Sequence, residues 1–445
     1  MFTPFRNTTY RRLFTAQVIA LVGTGLLTVA LGLLAYELAG ADAGLVLGTA
    51  LAIKMIAYVG IAPVVGGFAA LLPRRPFLIA LDLVRAAIAL LLPFISEVWQ
   101  IYVLIFLLQA SSAAFTPTFQ ATIPDILPEE REYTKALSLS RLAYDLESLI
   151  SPALAAALLA VISFHWLFTG TAIGFVGSAL LVASVTLPSV VTQTQKSGFF
   201  ERTTRGLRNY LATPRLRGLL ALNLAAAAGG AMVIVNTVVY VRSVLGGDAT
   251  DVAFALAVFG AGSMIAALAL PSLLERRTDR TVMLTGGLGI ITGLGGFSAL
   301  SVVAPAGWWA LYATWLLLGV SYSAILTPSG RLLRRSSNED GRPALFAAQF
   351  ALSHACWLIT YPMVGWLGAT TSWSMVFLVA AAFAGVGIAL AVLVWPANDP
   401  EVIEHSHPDL GPEHPHWREH ATTGERRHAH RFIVDEHHRN WPGRA

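Results

Sequence analysis

Residues 109–130 read Gln109-Ala-Ser-Ser-Ala-Ala-Phe-Thr-Pro117-Thr-Phe-Gln-Ala-Thr-Ile-Pro124-Asp-Ile-Leu-Pro128-Glu-Glu130. An apolar run ends here and a charged loop begins. About 210 residues later the pattern returns as Tyr322-Ser-Ala-Ile-Leu-Thr-Pro328, and Pro152 and Pro362 keep the same separation. Arg74-Arg75 and Arg276-Arg277 form a further matched pair at slightly shorter distance. Prolines and loop charges that recur together indicate one structural unit used twice.

The composition says what kind of unit it is. The chain has 445 residues, 55% hydrophobic and 13% charged, with mean hydropathy +0.64. A soluble domain carries about 25% charged residues, so this much apolar surface cannot be hidden in one water-soluble core. The chain reads as an integral membrane protein. Cys356 is its one cysteine, which excludes disulfides and cysteine-based metal clusters. The net charge of +4 is dispersed in short loops and is no nucleic-acid signature. No phosphate-binding Gly-x-x-x-x-Gly-Lys-Ser/Thr segment is present, so ATP hydrolysis is not expected.

Apolar runs long enough to cross a bilayer recur twelve times between residues 13 and 396. The expected fold is therefore all-α, with twelve transmembrane helices in two six-helix halves. The halves span 1–188 and 216–396, joined by a central loop at 189–215, and a His-rich tail expected to be disordered fills 397–445. Arg6, Arg11, Arg12, Arg74, Arg75, Arg131, Arg276, Arg277, Arg334 and Arg335 all fall in alternate loops, while the intervening loops lack Lys and Arg. By the positive-inside rule both termini and the central loop are expected in the cytoplasm. Six spans repeated in the same orientation match the plan of a secondary transporter.

Ionisable residues inside spans are costly and are functional candidates by default. Lys54 lies midway along the second span. Asp82 and Arg85, three apart on the third, read as a structural ion pair. The fifth span places Ser140, Arg141, Tyr144, Asp145, Glu147, Ser148 and Ser151 on one half of its surface. Asp145 and Glu147 lie at opposite edges of that half. Arg141 stands four residues before Asp145 and can neutralise it. Glu147 has no cation on its own stripe and is the first candidate for a proton or cation site; the alternative is an inter-helix lock with Lys54. Arg141 and Lys54 complete this coupling set. Gln109, Ser112, Thr116 and Gln120 form a polar stripe on the fourth span and are expected to line a cavity, with His354 from the eleventh. His354 also lies near Phe350, Trp357 and Tyr361, where a packed, hydrogen-bonded role competes with a ligating one. Arg74, Arg75, Arg276 and Arg277 are expected in gating loops.

Nine of the eleven histidines fall in the tail: His405, His407, His414, His416, His420, His428, His430, His437 and His438. Imidazole is a preferred ligand of Ni, Zn, Cu and Co, so the tail reads as metal-binding. His416-Trp-Arg-Glu419-His420 matches the spacing of a zinc peptidase, but a short Pro-rich tail offers no third ligand on a helix and no cleft. An enzyme is not expected.

Pro117-x-x-Gln-Ala-Thr-Ile-Pro124-Asp-Ile-Leu-Pro128-Glu-Glu resembles the fourth-span exit of the major facilitator superfamily, in the branch with enterobactin and macrolide exporters. The chain with its tail also resembles nickel-resistance exporters of that superfamily. Two departures stand out. After Gly67 the usual loop Asp is replaced within Phe-Ala-Ala-Leu-Leu-Pro, and the fifth-span antiporter pattern reads Ser151-Pro152-Ala-Leu-Ala-Ala. The resemblance implies a proton-coupled efflux transporter for Ni²⁺ or Co²⁺ in a bacterial inner membrane. It needs no cofactor; its partners are the lipid bilayer, protons and a small ion or molecule, and it acts as a monomer. A siderophore, macrolide or other organic solute is the alternative cargo, and a non-transporting membrane metal sensor is the third reading.

Overall fold

A computed structural model describes residues 3–39, 43–69, 72–159, 161–187, 199–247, 249–302, 306–339, 341–406, 427–434, 438 and 441–442. The first half contains α1 (Thr8–Ala39), α2 (Ala43–Ala69), α3 (Arg74–Leu91), α4 (Val98–Ile126), α5 (Glu130–Leu159) and α6 (His165–Ala183). The connecting segment carries α7 (Phe199–Ala212). The second half contains α8 (Pro214–Val239), α9 (Ala249–Leu274), α10 (Asp279–Leu300), α11 (Trp308–Leu326), the short α12 (Ser329–Arg335), α13 (Arg342–Thr370) and α14 (Trp373–Val394).

Among the described residues, ten helices are long and apolar enough to cross a membrane. Beside them lie α2, of 27 residues, and α5, of 30 residues. Large apolar side chains face outward, among them Phe94, Trp309, Ile173 and Leu393. In water such a surface would aggregate; against lipid it is the favourable solvent contact. Helix ends follow local chemistry. Glu97 and Gln100 form a reciprocal capping box at the start of α4, and Thr278 and Ser372 cap α10 and α14. Pro117 and Pro124 sit inside α4, where each removes one backbone donor.

Within the first half α1 packs on α6, α3 on α6 and α2 on α4; within the second, α9 packs on α11 and α8 on α14. The second half has the larger continuous core, centred on Trp315, Phe297, Phe377 and Tyr240. Trp315 is fully buried, and its indole Nε1 donates to Thr237 Oγ1 at 2.9 Å, which satisfies its one polar atom. The halves meet through α2 with α13 and α5 with α9.

Two expectations need correction. The segment 189–215 is not simply a loop, because α7 occupies most of it; its strongly amphipathic sequence gives a helix one face to bury against α2 and α13. Nor is the tail wholly disordered. Val402–Ser406 (β1) and Arg427–Arg431 (β2) pair as antiparallel strands, with His405 opposite His428. The high polar content that suggested disorder is offset by docking on the helices, as described below.

Candidate functional site

The polar side chains inside the bundle converge where the halves meet. Lys54 and Tyr58, one turn apart on α2, point together, with Lys54 Nζ 5.6 Å from the Tyr58 ring centre. The Tyr58 hydroxyl donates to Gln109 Oε1 on α4 at 2.8 Å. From the other half, Phe350 and His354 on α13 close over Tyr58, at ring separations of 4.8 and 4.7 Å. Glu147 on α5 faces α1; a Cβ built on Gly25 would lie 2.9 Å from Glu147 Oε1. Only glycine at position 25 leaves room for that carboxylate. Lys54 and Glu147 are withdrawn from water, and each is the opposite charge the other feels. The charge of Lys54 also reaches His354. His354 Nδ1 lies 2.7 Å from Phe350 O; a carbonyl can only accept, so Nδ1 carries the proton and Nε2 keeps its lone pair.

This assembly contains Lys54, Glu147, Gln109 and His354. The side chains of Arg141 and Asp145 lie outside the described residues. Ser112 turns its hydroxyl back onto Leu108 O of its own helix at 3.0 Å, while Thr116 and Gln120 are half-buried. Asp82 and Arg85 pair with each other in a buried setting, and the Arg85 guanidinium is sandwiched 4.1 and 4.6 Å from the Phe115 and Phe175 ring centres. They hold α3 against α4 and α6, and the Arg85 charge also reaches Tyr58 of the Lys54 cluster.

A second set of charges joins the halves at the arginine-rich ends of the helices. Asp125, at the end of α4, takes Arg74 from α3 at 2.5 Å and Arg342 from α13 across the boundary. Arg331 on α12 reaches Glu130 on α5 at 2.7 Å and donates to Thr134 Oγ1 at 3.1 Å. Arg334 donates to Pro128 O, and Arg131 pairs with Glu275 at 2.7 Å. Asp279, at the start of α10, holds Arg331 and Arg335 at 3.1 and 3.2 Å. In the repeat Arg74 begins α3 and Asp279 begins α10, so the two halves use the same place with opposite sign. The sequence match of Arg74-Arg75 to Arg276-Arg277 therefore does not carry over: Arg276 and Arg277 are exposed ahead of α10, and Arg75 bonds Ala183 O within its own half. Of the four arginines expected in gating loops, Arg74 holds Asp125 within its own half.

The tail lies against the same face. Asn209 Nδ2 donates to Val434 O at 3.1 Å, Arg431 donates to Arg334 O at 2.8 Å, and Glu401 pairs with Arg335 at 2.6 Å. Burial lowers the Arg431 pKa from its ordinary value, and neighbouring Glu401 opposes that shift. Here His405, His428, His430 and His438 come together, each offering a nitrogen within 4.8 Å of the others. His407, His414, His416, His420 and His437 lie outside the described residues.

Sequence reasoning did not single out Tyr58, Asp125, Asp279 or Arg331. Asp125 stands inside the quoted exit segment, yet only the fold brings Arg342 to it from 217 residues away.

Comparison with known proteins agrees with this architecture. The profile of the Major Facilitator Superfamily matches residues 13–303 and again 218–423. Macrolide efflux protein A of Streptococcus pyogenes is 25% identical over 188 residues, 41% of this chain and 46% of that protein, so the chain aligns with less than half of its length. The MFS-type transporter YvqJ of Bacillus subtilis is 25% identical over 326 residues, 69% of this chain and 74% of that protein. Among solved structures, the human organic anion transporter MFSD10 (TETRAN) superposes with TM-score 0.74 at 11% identity, covering 87% of this chain and 99% of that one. A bacterial homologue of the iron transporter ferroportin in an outward-facing state gives TM-score 0.72 at 15% identity, covering 86% and 98%. Two helical halves, charges that join them across one face and a profile that spans both halves lead to one conclusion: the chain is a multi-pass helical membrane protein and belongs to the Major Facilitator Superfamily.

Proposed function

We propose that the chain is a secondary active, proton-coupled exporter of a divalent metal ion such as Ni²⁺ or Co²⁺. It sits in a bacterial inner membrane with its arginine-rich face and both termini in the cytoplasm, the orientation the loop charges favour. The observation that carries the reading is Lys54 over Tyr58, which stands against His354 at the boundary between the halves, with Glu147 as the opposite charge Lys54 feels. A carboxylate balanced by a single ammonium changes the net charge of the site when it takes one proton. With Glu147 ionised, the site offers a carboxylate and the His354 Nε2 lone pair to a borderline cation. With Glu147 protonated, the remaining charge is that of Lys54, which repels the ion and favours release. Alternate opening of the two faces then exchanges protons for metal. The His-rich segment on the arginine-rich face supports metal as the solute.

A second reading is export of an organic solute. Lys54 favours it, because a fixed ammonium disfavours a divalent cation, and so do the Tyr58, Phe350, Trp357 and Tyr361 rings. The efflux named for the streptococcal relative fits it too. The deciding experiment is Ni²⁺, Co²⁺ and Zn²⁺ uptake into inside-out vesicles under an imposed proton gradient, comparing the full chain with one ending at Pro396. Gradient-driven uptake supports metal export. Absence of metal flux, with gradient-driven uptake of a macrolide, supports the second reading; a metal response without flux of either leaves a membrane sensor.

A further inference from the structure

We propose that His405, His428, His430 and His438 form a closed four-imidazole site for one divalent cation of the later first-row metals, and that the loaded site fixes the tail hairpin against α12. The inference goes beyond the transport reading and holds whichever solute the bundle carries.

The strands build the site. His428 and His430 are two apart on β2 and so share a face. His405 stands directly opposite His428 on β1, close enough for side-chain contact. His438 lies over the same face, beside His405 and Phe432. The His405 ring lies 4.6, 4.6 and 4.8 Å from those of His428, His430 and His438. A tetrahedral ion bonded to nitrogen at about 2.0–2.1 Å separates its donors by about 3.3 Å. His405 Nε2 and His438 Nε2 already stand 3.0 Å apart, and all four donors lie within 4.8 Å. Small ring rotations complete the shell. His428 is fully buried and His438 is 5% exposed, while His405 and His430 are half-buried, so the ion would be shielded from water on one side.

The donor set selects the metal. Four neutral imidazoles with no carboxylate suit Zn²⁺ or Co²⁺ and disfavour Mg²⁺ and Ca²⁺, which need oxygen. A shell filled by four protein ligands has no open position and retains its ion, as structural sites do. These four histidines therefore differ in role from any that collect ions for transport.

The hairpin is mechanically connected. Phe432 N donates to Glu401 O at 2.9 Å, Glu401 holds Arg335, and Arg431 holds the carbonyl of Arg334. The Arg334 side chain reaches Pro128 O on the other half. A ligand that binds the folded hairpin stabilises it and the contacts it makes.

The test is Co²⁺ titration of the purified full chain in detergent, followed by visible absorption, where four-coordinate cobalt absorbs strongly and six-coordinate cobalt weakly. One strongly absorbing Co²⁺ per chain is expected, displaced by Zn²⁺. The signal persists when His407, His414, His416, His420 and His437 are all replaced by Ala, and is lost in His405→Ala and in His430→Ala. Elution of these variants as the parent monodisperse species shows that the bundle is intact. At Zn²⁺ one hundred times its Kd, tryptic cleavage after Arg431 slows about a hundredfold. A six-coordinate spectrum, a strong signal that survives His405→Ala and His430→Ala, or cleavage indifferent to Zn²⁺ would each overturn the proposal.

Discussion

Replacing Arg342 with Gln tests whether the arginine-rich face is held shut by its cross-boundary charges. Arg342 and Asp125 are 10% and 11% exposed, so their bond is only weakly screened. Arg74, 3% exposed, stays on Asp125 when Arg342 is gone. The substitution therefore removes a link between the halves without leaving the carboxylate unpaired. A hydrogen bond to a charged group contributes about 1.5–3 kcal/mol. Since about 1.4 kcal/mol is tenfold in an equilibrium, the open-to-closed ratio at this face should rise about ten- to a hundredfold. Spin labels at Thr8 and Arg277, exposed positions on the two halves, report it in a Cys356→Ser background. Pulsed dipolar spectroscopy should show a longer-distance population growing in Arg342→Gln. In Arg74→Gln it should not grow, because that change leaves Asp125 to Arg342 alone. Identical distance distributions in parent and Arg342→Gln protein would refute the assignment of this pair as a latch.

Glu147→Gln should abolish proton-driven flux while thermal unfolding in detergent stays close to that of the parent; normal flux would remove Glu147 from the mechanism. Gly25→Ala places a methyl against Glu147 and Ser151. It should cost about 1–3 kcal/mol of stability by overpacking and impair flux; unchanged activity and Tm would mean that α1 and α5 are not so closely apposed. Asp82→Asn leaves the buried Arg85 without its counter-charge, a loss of about 3–5 kcal/mol. A marked drop in Tm is expected, largely recovered by adding Arg85→Met, and a Tm equal to the parent's would count against the buried pair.

The parts of this architecture legible in the sequence are those written in local pattern. Apolar run lengths, alternating loop charge and the repeated proline segments gave two helical halves. Lys54 and Glu147 stood out because a charge within an apolar run is conspicuous in itself. Tyr58 did not, since an aromatic ring in such a run carries no signal until Gln109, Phe350 and His354 are folded around it. Asp125 and Arg342 belong to different halves, and their pairing depends on how the halves dock. The tail shows the limit most clearly. Its histidines were visible, but the choice of four of the nine is made by strand register: His405 meets His428 because Val402 pairs with Arg431. Polar composition predicted no such pairing, because the ring contacts that hold the tail, Phe432 on Trp441 and the Arg215 guanidinium over Trp441, involve a few side chains at its far end.

Charge placement along the helices constrains how a cycle can run. The bonds that cross between the halves at the arginine-rich face involve Asp125, Glu130, Pro128 and Glu275, at the ends of α4, α5 and α9. The Lys54 and Glu147 cluster lies deeper, with Tyr58 and His354 facing each other across the same boundary. Opening that face must break several charge-assisted bonds together, and a single proton on Glu147 cannot supply that free energy on its own. Some of the released groups have partners within their own half, however: Asp125 keeps Arg74, and Asp279 keeps Arg331 and Arg335. Asp125 and Arg331 thus each keep a partner in their own half, which lowers the cost of opening at those residues. Protonation and solute binding at the cluster can bias that equilibrium only by as much as they differ in affinity for the open and closed states.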